Sequence, residues 1–174
     1  MTFSVRRLEA ADAAAYRDIR LEALADAPTA FGSDVPRERA FADAAWLERL
    51  AANPTYGVFE ADDLVGIATL AREPGEKSQH RANIYGVYVK PKARGRGASR
   101  QLLEAVIAAA KEIVVQVHLC VTTSNAPAVR LYERLGFTIY GTEPRALFVD
   151  GRYHDEHLMV LRLDEGQRKV TDNE

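Results

Sequence analysis

The groups best placed to hold an anion lie in Arg94-Gly95-Arg96-Gly97-Ala98-Ser99. This segment follows Ala82 to Val89, rich enough in β-branched and aromatic residues to read as a strand. Pro91 closes that strand, because proline has no amide hydrogen for a sheet ladder. Beyond it Leu102, Leu103, Val106, Ile107 and Ala110 fall on one face at helical spacing. Amides at a helix start lack intrahelical partners, and the helix dipole favours an anion there. Gly95 and Gly97 let the backbone approach a ligand closely. Arg94 and Arg96 can offer bidentate contacts to phosphate oxygens. The local reading is a phosphate cradle at a strand-to-helix junction; a glycine-bearing loop with a solvated basic rim is the open alternative. A P-loop would need Lys followed by Ser or Thr after the last glycine, where this chain has Ala98-Ser99. A dinucleotide fingerprint would need a third glycine.

A second segment, Asn125 to Phe137, has Ser124-Asn125 as an N-cap and Ala128, Leu131, Tyr132 and Leu135 at helical spacing. Gly136 supplies its C-cap. On local physics alone Tyr132 is equally a boundary tyrosine whose hydroxyl finds water. Cys120, the sole cysteine, sits in an apolar run and reads as a small buried hydrophobe. His118 reads as a hydrogen-bonded core or rim residue. The four histidines have no recognised metal-ligand spacing, and His154 to His157 reads as a polar cluster rather than a metal site.

The elements that must position these groups follow from periodicity. Phe3 to Leu8 reads as a strand, and a helix runs from Asp12 to about Ala25. Pro28 to Gly32 is a loop in which apolar Phe31 needs cover. A further helix is expected over Glu38 to Leu50, with Phe41, Ala45 and Trp46 inward, ended by Asn53-Pro54. Tyr56 to Glu60 and Leu64 to Ala71 form a hairpin across Ala61-Asp62-Asp63. Glu73 to Arg81 is a polar loop into the strand before the cradle. After the cradle helix, Ile113 to Val121 is a strand apolar enough to lie centrally. Phe137 to Tyr140 starts another, Asp150-Gly151 reads as a hairpin turn, and Leu158 to Leu163 is the last. The fold class is mixed α/β, and residues 1–174 are expected to form one domain with a polar tail from about Asp164.

With 174 residues, 47% of them hydrophobic, the chain can build a sizeable core. A net charge of -2 provides no global field for nucleic acid or anionic membrane. The basic cluster Lys90, Lys92, Arg94, Arg96 and Arg100 is local and suits a small polyanion better than a duplex. No apolar run approaches membrane-spanning length, and none follows Arg6-Arg7 as in a leader. Cytoplasmic localisation is the default expectation.

Arg94-Gly95-Arg96-Gly97-Ala98-Ser99 after Val89-Lys90-Pro91 resembles the acyl-coenzyme A signature of the GCN5-related N-acetyltransferase (GNAT) family, with Ser99 where the family usually has Gly or Ala. Asn125, Ala128, Leu131-Tyr132-Glu133 and Gly136-Phe137 match that family's second motif, and Asp150 to Asp155 with Met159 resembles its closing hairpin. The resemblance implies a central strongly twisted sheet with helices on both faces. It implies acetyl-coenzyme A bound where Ala82–Val89 and Ile113–Val121 splay, with the pantetheine on backbone around Val87 and Val89. The pyrophosphate would meet the amides of Arg96, Gly97, Ala98, Ser99 and Arg100, and Asn125 would bond the pantetheine or support the splayed strand. Tyr132 would be the general acid for the thiolate, and the amide near Val89 would polarise the carbonyl. For the base the family offers no fixed position; His80 is taken, with Glu73 and Glu38 as further candidates. The implied activity is N-acetylation of a primary amine of a small molecule or peptide. The alternatives are a protein N-terminal or lysine acetyltransferase, another acyl-CoA N-acyltransferase, or a non-catalytic acyl-CoA sensor. No metal is expected, and homodimerisation is carried as a family habit.

Overall fold

The computed structural model describes residues 2–164. Strands β1 (Phe3–Arg7), β2 (Thr55–Glu60), β3 (Asp63–Arg72), β4 (Arg81–Val89), β5 (Gln116–Thr122), β6 (Thr138–Val149) and β7 (Arg152–Arg162) form a sheet of order β1-β2-β3-β4-β5-β7-β6. Every neighbouring pair is antiparallel except β4 and β5. The helices are α1 (Ala13–Asp26), α2 (Val35–Arg39), α3 (Asp43–Ala52), α4 (Ala98–Lys111) and α5 (Ala126–Arg134).

Alternation along the strands sends side chains to two apolar cores, one on each face. On one face α4 lays Leu102, Leu103, Val106 and Ile107 over Val58, Val65, Leu70 and Ile84, and α5 adds Tyr132. On the other, α1 and α3 bury Ile19, Leu24, Trp46 and Leu50 with Phe59, Ile67 and Tyr88. Phe31 packs into this second core, which gives the loop around it the cover it needs.

Three element boundaries differ from expectation. The helix expected over Glu38 to Leu50 is two, α2 and α3, broken at Ala42, whose backbone is extended. A continuous helix would hold Glu38 and Arg49 about 16 Å apart along its axis. The break folds α3 back so that Arg49 Nη1 meets Glu38 Oε2 at 3.0 Å. The strand expected from Ile113 begins only at Gln116, because Ile113 and Val114 donate back to Ala110 at the end of α4. The last strand begins at Arg152, since Asp150 and Gly151, with φ of 49° and 75°, form the tight turn that lets the whole hairpin pair. Of the polar tail, residues 165–174 lie outside the described residues.

Candidate active site

β4 and β5 are in register only at Arg81, Ala82 and Asn83, opposite Gln116, Val117 and His118. Beyond that point the two parallel strands part. On its other edge β4 carries a bulge. Tyr85 opposes Thr69 and Tyr88 opposes Ile67, so three steps on β4 match two on β3. Gly86 sits in this bulge with φ +62°, a backbone conformation that favours glycine. The parted strands open a groove of about 1480 Å³, running from the start of α4 to the wall made by α1, α2 and α3.

At the first end of the groove the junction is a cradle. Gly95 and Gly97 have φ of +70° and +92°, and Gly97 is the N-cap of α4. The first intrahelical bond runs from Gln101 N to Gly97 O, so the amides of Ala98, Ser99 and Arg100 come before the helical ladder. Gly95, Gly97, Ser99 and Arg100 line the groove, while Ala98 is buried beneath it. Arg94 also lines it, with Nε donating to the Val89 carbonyl at 2.8 Å and Nη2 paired to Asp26 at 2.5 Å. The Arg96 side chain corrects one expectation. Its guanidinium turns to Glu60 at 2.5 Å and over the Phe3 ring, and Arg96 is not among the residues that line the groove. Arg100 pairs with Glu104 at 2.7 Å. Orphan amides, left-handed glycines and a groove-facing arginine together suit a diphosphate.

Between the strands, Val87 lines the groove at the bulge, and Val89 lines it where β4 ends. Asn125 lines it from the start of α5, where its Oδ1 accepts from Ala128 N at 3.3 Å and so caps the helix. That cap orients α5 and with it Tyr132, which is 6% exposed, lines the groove and packs edge-on against Phe137 at 5.9 Å. Burial pushes the Tyr132 hydroxyl well above the usual phenol value. It therefore stays protonated at neutral pH and is available as a proton donor.

The far end of the groove is charged. Glu38 is 0% exposed, and Arg20 grips both its oxygens, Nε to Oε2 at 3.0 Å and Nη2 to Oε1 at 2.8 Å. Arg49 adds its contact from α3. Burial pushes the Glu38 carboxyl up, but the hydrogen bonds from Arg20 and Arg49 outweigh it and bring the pKa to about 2. Glu38 is thus a held anion and a poor base. Arg20 also lies over the Phe31 ring, and Arg49 over the rings of Phe41 and Trp46. Tyr16 meets Trp46 edge-on at 5.7 Å.

From the opposite side β7 contributes Glu156, in register with Thr122 of β5 and lining the groove. Burial, then repulsion from Glu143, raises its pKa above the ordinary glutamate value. Cys120 shares that face and is exposed on the groove rather than buried. An outward-alternating strand position next to the splay overrides the apolar run around it. Although the residue is exposed overall, partial desolvation of its sulfur, then the charges of Glu156 and Glu143, push its thiol pKa up, which makes it a weak nucleophile.

The structure does not bring His80 to this groove. His80 is exposed ahead of Arg81, at the end where β4 and β5 are still paired, and its carbonyl accepts from Val115 N. Glu73 binds Asn83 Nδ2 at 2.5 Å. The sequence does not distinguish Arg20, Arg49 or Glu156, each one charge among many on a helix or strand. Among the described residues no group of three or more His, Cys, Asp or Glu is placed to hold a metal ion. No helix among them is long and apolar enough to cross a membrane.

Comparison with known proteins converges on one family. The acetyltransferase (GNAT) family model matches residues 18–137. The chain is 30% identical over 123 residues to L-amino acid N-acetyltransferase AaaT of Escherichia coli K12, covering 68% of this chain and 75% of that one. It is 35% identical over 82 residues to an L-methionine sulfoximine/L-methionine sulfone acetyltransferase of Salmonella typhimurium, a match spanning 48% of that enzyme. Among solved structures, yncA of Salmonella typhimurium with its cofactor acetyl-CoA superposes with a TM-score of 0.79 at 26% identity, over 99% of both chains.

Proposed function

We propose that this chain, which belongs to the acetyltransferase (GNAT) family, moves the acetyl group of acetyl-coenzyme A directly onto a primary amine of a small molecule. The observation that carries the reading is the continuity of one groove from the α4 cradle, through the β4–β5 splay, past the buried Tyr132 hydroxyl, to a walled recess at α1, α2 and α3. Acetyl-coenzyme A supplies an activated thioester and needs no covalent help from the protein. Cys120, with its raised thiol, has no part as a nucleophile.

The α4 amides and Arg94 bind the diphosphate, and the open edge of β4 around Val87 and Val89 receives the amide-bearing arm in the manner of an added strand. The backbone amide near Val89 is the donor assigned to the carbonyl oxygen. Glu156, poised by its raised pKa, takes the proton of the acceptor ammonium. As the nitrogen bonds to the acetyl carbon and the carbon–sulfur bond breaks, the Tyr132 hydroxyl gives its proton to sulfur. The nitrogen, cationic once bonded to the acetyl carbon, returns its second proton to the Tyr132 oxygen, and Glu156 releases the first to solvent, so the ammonium loses two protons, one ending on the thiol and one in water. Glu156, which lines the groove, fills the base role in place of the exposed His80.

The recess favours a small acceptor over a folded protein, because three helices wall it. The relatives support the same choice: their names place L-amino acids and methionine sulfoximine as acceptors. Two measurements test the reading together, acetyl-coenzyme A binding by calorimetry and thiol release across a panel of primary amines. Saturable binding abolished by Gly97→Glu, with amine-dependent thiol release, is expected. Binding without thiol release for any amine would instead mark a sensor, and no binding would end the proposal.

A further inference from the structure

The acceptor end of the groove holds two guanidinium groups against one buried carboxylate. Glu38 is enclosed between Arg20 and Arg49, and the Arg20 side chain is 12% exposed. Arg20 gives Nε and Nη2 to Glu38, which fixes the plane of its fork. Its remaining terminal nitrogen points elsewhere: a Cβ built on Gly86 would lie 3.4 Å from Arg20 Nη1. A cationic donor is therefore held rigidly against the bulge where β4 and β5 part. The other charged groups on this recess are Arg37, exposed at its rim, and Glu156 across the groove on β7.

From this we infer that Arg20 binds a carboxylate of the acceptor, and that the acceptor is an α-amino acid, with its anionic group on the carbon that bears the reacting amine. The inference rests on the acetyl-transfer reading and narrows it. Glu38 cannot supply the matching charge to a cationic acceptor, since both of its oxygens are taken by Arg20 and Arg49. A polyamine would meet net positive charge here. An α-amino acid places its carboxylate on Arg20 at the bulge while its ammonium, one carbon away, faces Glu156. An amine far along a side chain would be carried away from the strand edge when its carboxylate sits on Arg20. Glu38 and Arg49 act as the brace that sets Arg20, not as ligands.

The experiment compares, with the intact wild-type protein and acetyl-coenzyme A, a set of L-amino acids, each beside its carboxamide and its decarboxylated amine. Thiol release is read as kcat/KM, corrected for the fraction of free amine. A charge-assisted hydrogen bond lost from a buried donor predicts that the acids exceed both neutral counterparts by about 10- to 100-fold. Arg20→Gln, checked for native circular dichroism and for acetyl-coenzyme A affinity, should bring that ratio close to one. Carboxamides or amines used as well as the acids by the wild type would overturn the inference and leave acetyl transfer standing. A folded Arg20→Gln protein with the wild-type ratio would also overturn it. Absence of thiol release with every amine would remove both.

Discussion

Arg94 Nε donates to the carbonyl oxygen of Val89 at 2.8 Å, tying the loop that carries the cradle back to the last residue of β4. The same side chain faces the groove and meets Asp26, whereas Arg96, two residues on, is turned to Glu60. The two arginines thus differ in placement although the sequence offers them alike. Arg94→Ala should raise the acetyl-coenzyme A dissociation constant by about tenfold, the loss of one charged hydrogen-bonding partner. Arg96→Ala removes an exposed ion pair and should change it by less than about threefold. Calorimetry on the two variants checks the contrast, and equal losses would contradict it.

Tyr132 is buried, protonated at neutral pH and held by a helix whose cap is Asn125. Tyr132→Phe keeps the ring packing against Phe137 and removes only the proton donor. Turnover should fall roughly 100-fold with little change in acetyl-coenzyme A affinity. Steady-state rates beside binding titrations separate the two, and an unaltered kcat would take Tyr132 out of the chemistry.

The raised pKa of Glu156 makes a pH prediction. Below its pKa the carboxyl is protonated and cannot accept from the ammonium, so kcat/KM should climb with pH through a value above that of an ordinary glutamate. Glu156→Gln should lower kcat/KM by roughly 100-fold and erase that limb. His80→Ala, at an exposed position outside the groove, should leave the profile as it was.

Glu38 links the helical wall of the recess to stability. Its pKa lies below the ordinary 4.5, at about 2, so its contribution is fully present above 4.5 and is lost as pH falls towards 2. A shift of this size corresponds to about 3 kcal/mol at neutral pH. Glu38→Gln should lose a comparable amount, because the nearly buried Arg20 and the half-buried Arg49 guanidiniums are left without their counter-charge. Urea midpoints measured from pH 7 down to pH 3 should fall steeply for the wild type and more gently for the variant.

How far the sequence could be read depended on whether a feature was local. The cradle is a run of neighbouring residues whose backbone preferences and helix start are set by the chain itself, and Gly95 and Gly97 take the conformations their type permits. The α5 helix was legible for the same reason, from its Asn125 cap to the left-handed Gly136. The charged wall of the recess was not, since Arg20, Glu38 and Arg49 come from three helices and meet only after the chain breaks at Ala42. Glu156 acquires its environment from register with Thr122 and Glu143 across two strand pairs, which no single segment encodes. His80 shows the opposite case: it lies near the central strand in sequence, but at the end where that strand is still closed against β5.

Trp46 is the chain's sole tryptophan, and it lies behind the recess with its ring against Tyr16 and beneath the Arg49 guanidinium, both of which line the groove. Its indole nitrogen is buried with no hydrogen-bond partner, so its emission colour and intensity are set by packing and by the nearby cation. The protein therefore carries a built-in optical reporter at one end of its groove. Long-wavelength excitation reports on the recess at α1, α2 and α3, so a ligand that presses on Tyr16 or Arg49 there can be followed without attaching a dye.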